Sequence, residues 1–467
     1  MFLTRSAVLE RMSGPLCEAV LQWPGAAATL AGLARSNLLL VPLDRRGAWY
    51  RYHHLFRDML LAKLERTEPG LLPVLRRRAV GWYEQYGLPE EALEYSMAAG
   101  DADTAARLVQ SLFMPTYRQA RVTTLQRWFR WLDDRGAIEE YPLVAVWASL
   151  LAASTGRPGE AERWADAVDR WLDAEAARAR DPLVEAHAIL LRALLCRHGI
   201  RRMRADADEA ARRCAEVGIA APVIPVVQGI ARVLDGDLDG GDACFEDASA
   251  LGDLGAPDVR AIALCERVLL AMARGDWSRA EELARAARAA PRPAGIEDPL
   301  VCAVHARMAM HRGDVPAARH ELTGAQRLAP LLTHAQPHLA VQTRIELIRV
   351  YLALADIAGA RMQLREIDEV LKRRPDLGTL TDEARALRAR LPGERAPAAV
   401  KVSALTTAEL RVLPLLATHL SFPEIGAQLS LSPHTIKSQA MSVYRKLEAS
   451  SRSQAVARSR ELGLLDT

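Results

Sequence analysis

The sequence predicts a mostly α-helical chain in three parts: a winged-helix-like start, a superhelical solenoid of TPR-like helical repeats, and a C-terminal helix-turn-helix. Three observations carry this. A Gly-Asp turn recurs through the middle of the chain with a period of 37 to 43 residues. Strand-like sequence is confined to the first eighty-odd residues. The formal net charge of +3 lies entirely in residues 401–467, which hold eight Lys or Arg against five acids, while the preceding 400 residues cancel. The expected division is residues 1–88, 89–390, a linker at 391–403, and 404–467.

In the first part, Leu38-Leu39-Leu40-Val41-Pro42-Leu43, then Asp44-Arg45-Arg46-Gly47, then Ala48-Trp49-Tyr50-Arg51-Tyr52 reads as strand, turn, strand. A helix is expected from His53 through Leu64, with Leu55, Phe56, Met59, Leu60 and Leu64 on one face. Helices before a hairpin suggest a winged-helix-like unit. It has no basic stripe on a clear recognition helix, so a structural role is expected for it.

From about residue 90 to 390 the repeat takes over. Gly100-Asp101, Gly156, Gly236-Asp237, Gly275-Asp276 and Gly313-Asp314 are each followed by a small residue five positions after the Gly. Ala355-Asp356 is a variant and Gly199, with Arg204, a degenerate member. Such a period is that of paired antiparallel helices. Gly ends one helix, Asp caps the next, and the small residue lets the second helix approach its partner. Each pair cannot bury its apolar stripe alone, so the pairs stack into a solenoid. Around Leu391-Pro392-Gly393 the periodicity lapses into a Pro/Ala-rich linker.

The tail reads as four short helices. Thr406 with Glu409 and Ser421 with Glu424 are capping boxes. The tight turn Ser430-Leu431 leads to Ser432 as N-cap and Pro433 at the first helical position. On the third helix Ile436, Ala440, Val443 and Leu447 fall within a sector of about 60°, and His434, Lys437, Ser438, Met441 and Arg445 occupy a roughly opposite one. A short helix held by one apolar stripe after another helix and a tight turn is a helix-turn-helix. Its outward cations and small polar groups suit phosphates and base edges in a major groove. The free N–H groups from Ser432 to Thr435 add a phosphate site. Any surface helix carries a Lys and an Arg; the two capping boxes, the turn and the local surplus together favour DNA reading.

Leu405-Thr406-x-x-Glu409-x-x-Val412-Leu413-x-Leu415-Leu416-Ala417 is similar to the start of the LuxR-type DNA-binding domain. Ser421-x-x-Glu424-Ile425-x-x-x-Leu429-x-x-Ser432-x-x-Thr435-Ile436-Lys437-Ser438, Tyr444-x-Lys446-Leu447 and Arg452-x-x-Ala455-Val456 continue the match. Upstream, Phe2-Leu3-x-Arg5 with Val8-Leu9-x-Arg11, Trp49 through Phe56, and Ala98-Ala99-Gly100-Asp101 resemble MalT-like, large ATP-binding LuxR regulators. The resemblance implies that a STAND-type ATPase precedes these parts, that the superhelix binds an inducer or partner, and that the fourth tail helix dimerises. No G-x-x-x-x-G-K-[ST] occurs, so the chain is expected to lack the ATPase, as a truncation or as a regulator without nucleotide gating. Pro414 is expected to interrupt the first tail helix. His419 and Phe422-Pro423 replace a usual Gly and Asn-Lys, Gln439 a common His, and Glu448 a common Gly.

The expectation is therefore a cytoplasmic, non-enzymatic transcription regulator without cofactor or metal. Its DNA-contacting residues are Ser432, His434, Thr435, Lys437, Ser438, Met441, Arg445 and Lys446. Candidate partners are promoter DNA, a small-molecule or protein inducer on the superhelix, RNA polymerase, and a second copy on DNA; no membrane is involved. The competing reading is a protein-interaction scaffold, a degraded or truncated regulator whose tail no longer binds DNA. Asp235-x-Asp237-x-Asp239-Gly240 with Glu246 matches a calcium-loop pattern, but Gly236-Asp237 is in register with the repeat turns, which need the following residues as helix. His334 and His338 flank Pro337, which breaks the helical face a zinc pair would use. Trp128, Phe129 and Trp131 read as helix-face core. Scattered cysteines without a CxxC pair suit reduced, buried thiols.

Overall fold

The computed structural model describes residues 1–36, 40–45, 47–173, 181–216, 218, 221–252, 257–290, 298–391, 405–447, 449–461 and 464–465. It divides into two units, Met1–Val144 and Ala145–Thr467. The first begins with helices α1 (Phe2–Ser6), α2 (Gly14–Leu21) and α3 (Ala26–Arg35), the hairpin β1 (Leu40–Pro42) and β2 (Tyr50–Tyr52), and α4 (His54–Thr67). The strands are antiparallel, Leu40 facing Tyr52 and Pro42 facing Tyr50. Met12 adds a bridge to Tyr50, each N–H donating to the other's carbonyl at 2.7 and 2.8 Å. Leu38, Leu39 and Arg46 lie outside the described residues.

Helix α4 departs from expectation in two ways. It runs on to Thr67, ending just before Glu68-Pro69, where the proline ring disfavours helical geometry for its predecessor. And Leu55 and Met59 are 67% and 56% exposed. Leu60 and Leu64 are buried and Phe56 packs edge-on to Tyr52, so the inward stripe is Phe56-Leu60-Leu64, one residue round from the exposed pair.

Helices α5 (Leu71–Gln85), α6 (Pro89–Ala99), α7 (Ala102–Arg118) and α8 (Val122–Asp133) complete the first unit, and α9 (Pro142–Ser154) spans the division. Leu125, Trp128, Phe129 and Leu132 are buried as helix-face core, and Arg135 stacks over Trp131 at 3.8 Å.

The second unit carries α10 (Pro158–Asp173), α11 (Pro182–Leu195), α12 (Ile200–Glu216), α13 (Val223–Leu234), α14 (Leu238–Gly252), α15 (Pro257–Ala273) and α16 (Trp277–Ala289). It continues with α17 (Pro299–His311), α18 (Val315–Leu328), α19 (Pro337–Ala353), α20 (Ile357–Arg373) and α21 (Thr379–Arg390), and then the tail helices α22 (Thr407–Leu416), α23 (Phe422–Leu429), α24 (Pro433–Lys446) and α25 (Arg452–Glu461). From α11 to α20 the helices pack in consecutive pairs, α11 with α12 through α19 with α20. The turns work as the residues require. At Gly275 φ is 75°, and the Asp276 carboxylate accepts the Arg279 N–H at 3.0 Å. Asp237, Asp314 and Asp356 cap Gly240, Ala317 and Gly359 in the same way. The small residues Ala161, Gly241, Ala280, Ala318 and Ala360 are all buried.

The degenerate Gly199 turn has no Asp after it. Asp376, from the loop between α20 and α21, supplies the missing acceptor to the Ile200 N–H at 3.2 Å. A Cβ on Gly199 would stand 2.3 Å from that carboxylate, and one on Gly378 2.0 Å from the Leu234 carbonyl. The same loop sends Arg374 to Glu162 and to the Leu195 carbonyl, so the last repeat is locked onto the turns of α11–α13.

The calcium pattern is spent on this architecture. Asp235 pairs with Arg204, Asp237 caps α14, Asp239 pairs with Arg274 and Glu246 with Arg267. Residues 238–252 are helical and cannot wrap an ion. Among the described residues no cluster of three or more metal-ligating side chains exists. His338 is buried and His334 half-buried, and burial lowers both to about 4. Burial also pushes the Cys17 and Cys196 thiols up to about 12. No described helix is long and apolar enough to cross a membrane.

Candidate nucleic-acid interface

The tail is built on its caps. Thr406 Oγ1 accepts the Glu409 N–H at 3.3 Å while the Glu409 carboxylate takes the Thr406 N–H at 2.7 Å, which opens α22. The Glu424 carboxylate takes the Ser421 N–H at 2.7 Å and hydroxyl at 2.6 Å, which opens α23. Ser430 ends α23 with φ 55°, and Leu431 N–H closes the turn on the Gly426 carbonyl at 2.8 Å. Gly426 is needed there, since a Cβ would meet Leu431 O at 2.7 Å. Ser432 then caps α24 by accepting the Thr435 N–H at 3.1 Å, with Pro433 first in the helix.

Helix α24 divides cleanly. Ile436, Ala440 and Val443 are fully buried and Leu447 nearly so, against Val412, Leu413, Leu416, Ile425 and Ala455. His434, Lys437, Ser438, Met441 and Arg445 are all exposed, Met441 at 56%, and Ser432 lies exposed at the helix start. Thr435 is half-buried, its hydroxyl 2.8 Å from that of Ser432. Arg445 donates to the Ser442 hydroxyl at 3.3 Å.

Lys446 stands apart from the other sequence-predicted residues. It points inward, its ammonium 2.7 Å from Glu409 Oε2, with both side chains largely buried. Burial alone would raise the Glu409 carboxyl; the Lys446 ammonium, the Thr406 N–H and the Ser442 hydroxyl outweigh it and hold it below the usual range. Lys446 is thus a positioning residue that ties the end of α24 to the start of α22, in place of the outward cation expected of it.

One contact that holds the tail together has no local signal in the sequence. Arg452 donates to four carbonyls, of Leu415, Leu416, Thr418 and Leu420, at 2.7–3.1 Å. It closes the C-terminal end of α22, where no left-handed residue follows. The only sequence signal was its place in the motif. Pro414, expected to interrupt α22, lies within it: the helix runs on to Leu416, and Arg452 holds the carbonyls just beyond the proline. The Gln439 side-chain oxygen is buried without a hydrogen-bond donor. Glu448 lies outside the described residues.

Fold and site together define a helical-repeat chain that starts in a winged helix and ends in a capped helix-turn-helix. Residues 1–72 match the MalT winged helix domain, and residues 403–459 match the bacterial regulatory proteins of the luxR family. These two segments of the chain are thus similar to domains of LuxR-type, MalT-like regulators. A stretch of 162 residues, 32% of the chain, is 29% identical to the serine/threonine-protein kinase PknK of Mycobacterium tuberculosis and of Mycobacterium bovis. That stretch spans only 14% of those kinases' length. A STAND protein with a tetratricopeptide repeat sensor from Pyrococcus horikoshii is similar over 83% of this chain and 62% of its own, at TM-score 0.47 and 12% identity.

Proposed function

We propose that this chain is a non-enzymatic, cytoplasmic transcription regulator whose residues 404–467 read double-stranded DNA, with the helical repeats as its sensor. The observation that carries the reading is α24 itself: His434, Lys437, Ser438, Met441 and Arg445 share an exposed face opposite a fully buried stripe. Lys437 and Arg445 meet phosphates, while Ser438 and Met441 face base edges, Met441 offering an apolar surface of the kind that packs on a thymine methyl. The exposed cations are few, so one tail binds weakly and two tails on neighbouring sites are needed for useful affinity. Through that self-association the chain would present itself to RNA polymerase.

The test is duplex binding by the full chain, followed by fluorescence anisotropy over a salt series. The expected result is affinity that falls steeply with salt and is weakened by Lys437→Ala. Binding that Lys437→Ala leaves unchanged at moderate salt removes the assignment of the face. Absence of duplex binding even at low salt favours the scaffold reading.

A further inference from the structure

The first unit holds a cavity of ≈ 560 Å³ that the DNA-reading face does not involve. Its volume lies in the range of small-molecule sites. Arg57, on α4, donates to the carbonyls of Ala7 and Val8, and Arg76, on α5, to that of Ala98. Among the described residues neither guanidinium closes an ion pair, although Arg5, Arg107, Arg121 and Arg127 of the same unit all do. Both are half-buried. Burial holds Arg76 below the usual guanidinium range, with Glu65 near enough to oppose that lowering and Arg57 near enough to add to it.

The acids show the same pattern. Glu94 is taken by Arg127, and Asp44 accepts the N–H groups of Ala48 and Trp49 in the hairpin turn. Glu10 and Glu91 also line the cavity, are exposed, and have no cation within ion-pair distance among the described residues. A tyrosine pair forms the floor. Tyr83 and Tyr95 stack with centroids 5.3 Å apart, and the Tyr95 oxygen accepts the Glu10 N–H at 2.8 Å. Tyr83 feels Glu10 and Glu91, and Tyr95 feels Glu10 and then Arg57, so acidic and basic groups both lie beside the pair. Trp49 and Leu43 supply apolar wall.

We propose that this cavity binds a zwitterion of the α-amino-acid class, its carboxylate on Arg57 and Arg76, its ammonium at Glu10 and Glu91, and its apolar part against Trp49 and Leu43. Paired guanidiniums match a carboxylate's two oxygens, and two carboxylates match an ammonium. A simple anion would meet Glu10 and Glu91, and a simple cation Arg57 and Arg76; only a ligand carrying both charges completes both ends. The source is a free amino acid or a short peptide.

The probes are the standard L-amino acids and their glycine dipeptides, tested on the full chain by saturation-transfer NMR and calorimetry. At least one apolar or aromatic amino acid, or its dipeptide, is expected to bind. Methyl esterification and N-acetylation should each weaken that probe by about tenfold or more. Glu91→Gln and Arg76→Gln should do the same. Tighter binding of the dipeptide identifies a peptide as the source, and of the free probe an amino acid. Failure of all these probes to bind overturns the proposal. So does an N-acetyl derivative that binds as well as its parent, which marks an anion site, or a methyl ester that does so, which marks a cation site. Should Arg76→Gln unfold the unit, exposed Glu91→Gln with unchanged melting keeps the test decisive.

Discussion

The repeats and the tail use their cations in opposite ways. In the repeats the arginines turn toward carboxylates: Arg192 to Asp206, Arg197 to Asp166 and Asp169, Arg267 to Asp242, Arg307 and Arg349 to Glu346. Arg192–Asp206, Arg267–Asp242 and Arg307–Glu346 tie one helix to another, and residues 89–390 hold 40 Lys or Arg against 45 acids. In the tail Lys446 is spent in this way, while Lys437 and Arg445 face water. The comparison separates two kinds of charge that composition adds together. A cation answered by a neighbouring carboxylate contributes to the fold, and a cation left facing outward is available to a partner.

The largest effect should follow from treating Lys446 as one of the outward cations. Lys446→Ala strands the buried Glu409 carboxylate and should cost the tail about 3–5 kcal/mol. Hydrogen exchange of the α22 and α24 amides reads this directly. Glu409→Gln combined with Lys446→Met should recover much of the loss, because no buried charge then lacks a partner. If Lys446→Ala leaves exchange unchanged, the pair is ornamental and the contrast between Lys446 and Lys437 collapses. The pH dependence has a definite sign. The folded carboxyl of Glu409 lies below its ordinary value, so its contribution is present above the usual carboxylate range and is lost as pH falls through the folded value.

The repeats contain the opposite case. Glu266 is buried, and burial raises its carboxyl from 4.5 to about 7, with the Gln342 amide as hydrogen-bond donor at 2.7 Å. A raised carboxyl stabilises the fold fully below the unfolded value, and this is lost as pH rises through about 7. Glu266→Gln removes the charge and should stabilise the repeats at pH near 8 by up to about 3 kcal/mol relative to the parent, and by little near pH 4. Denaturation at the two pH values checks it; equal effects at both would mean that Glu266 does not titrate with the fold. Lys437→Ala comes next. It should leave the exchange of α22–α24 untouched, weaken duplex binding on the order of tenfold at 0.1 M salt, and lower the salt slope by about one.

How far these arrangements could be read from the sequence depends on the range of the interactions. The repeat turns were legible because Gly, Asp and the small residue act within five positions of one another. The capping boxes and the two faces of α24 were legible for the same reason. The face of α4 is narrower than the pattern implies: Phe56, Leu60 and Leu64 lie inward as expected, while Leu55 and Met59, one residue of phase away, are exposed, and packing of Phe56 against Tyr52 fixes the phase. The inward turn of Lys446 has no local signal because its partner lies 37 residues away, and Asp376 as the cap of Ile200 lies 176 away. Arg452 stood in the motif, yet its four carbonyls are visible only once α22 and α25 are folded together.

The smallest expected effect compares the same strain in both regions. Ala355 in the variant repeat turn and Ser430 in the helix-turn-helix both hold the left-handed region, at φ 57° and 55°. A side chain there costs roughly 1–2 kcal/mol, and glycine removes that cost while adding roughly 0.4–1 kcal/mol of chain entropy to the unfolded state. The difference favours glycine by up to about 1.5 kcal/mol. Ala355→Gly restores the Gly-Asp sequence of the other turns, and its Asp356 cap on Gly359 does not depend on the side chain at 355. Ala355→Gly should therefore slow exchange in α19 and α20 without touching the tail. Ser430→Gly should slow it in α23 and α24 without touching the repeats, and should leave duplex binding intact because Ser430 is off the α24 face. A loss of stability in either variant would show that the side chain makes a contact worth more than its strain. Unequal gains would show that the repeat turn and the helix-turn-helix turn, alike in backbone, differ in how firmly their surroundings impose it.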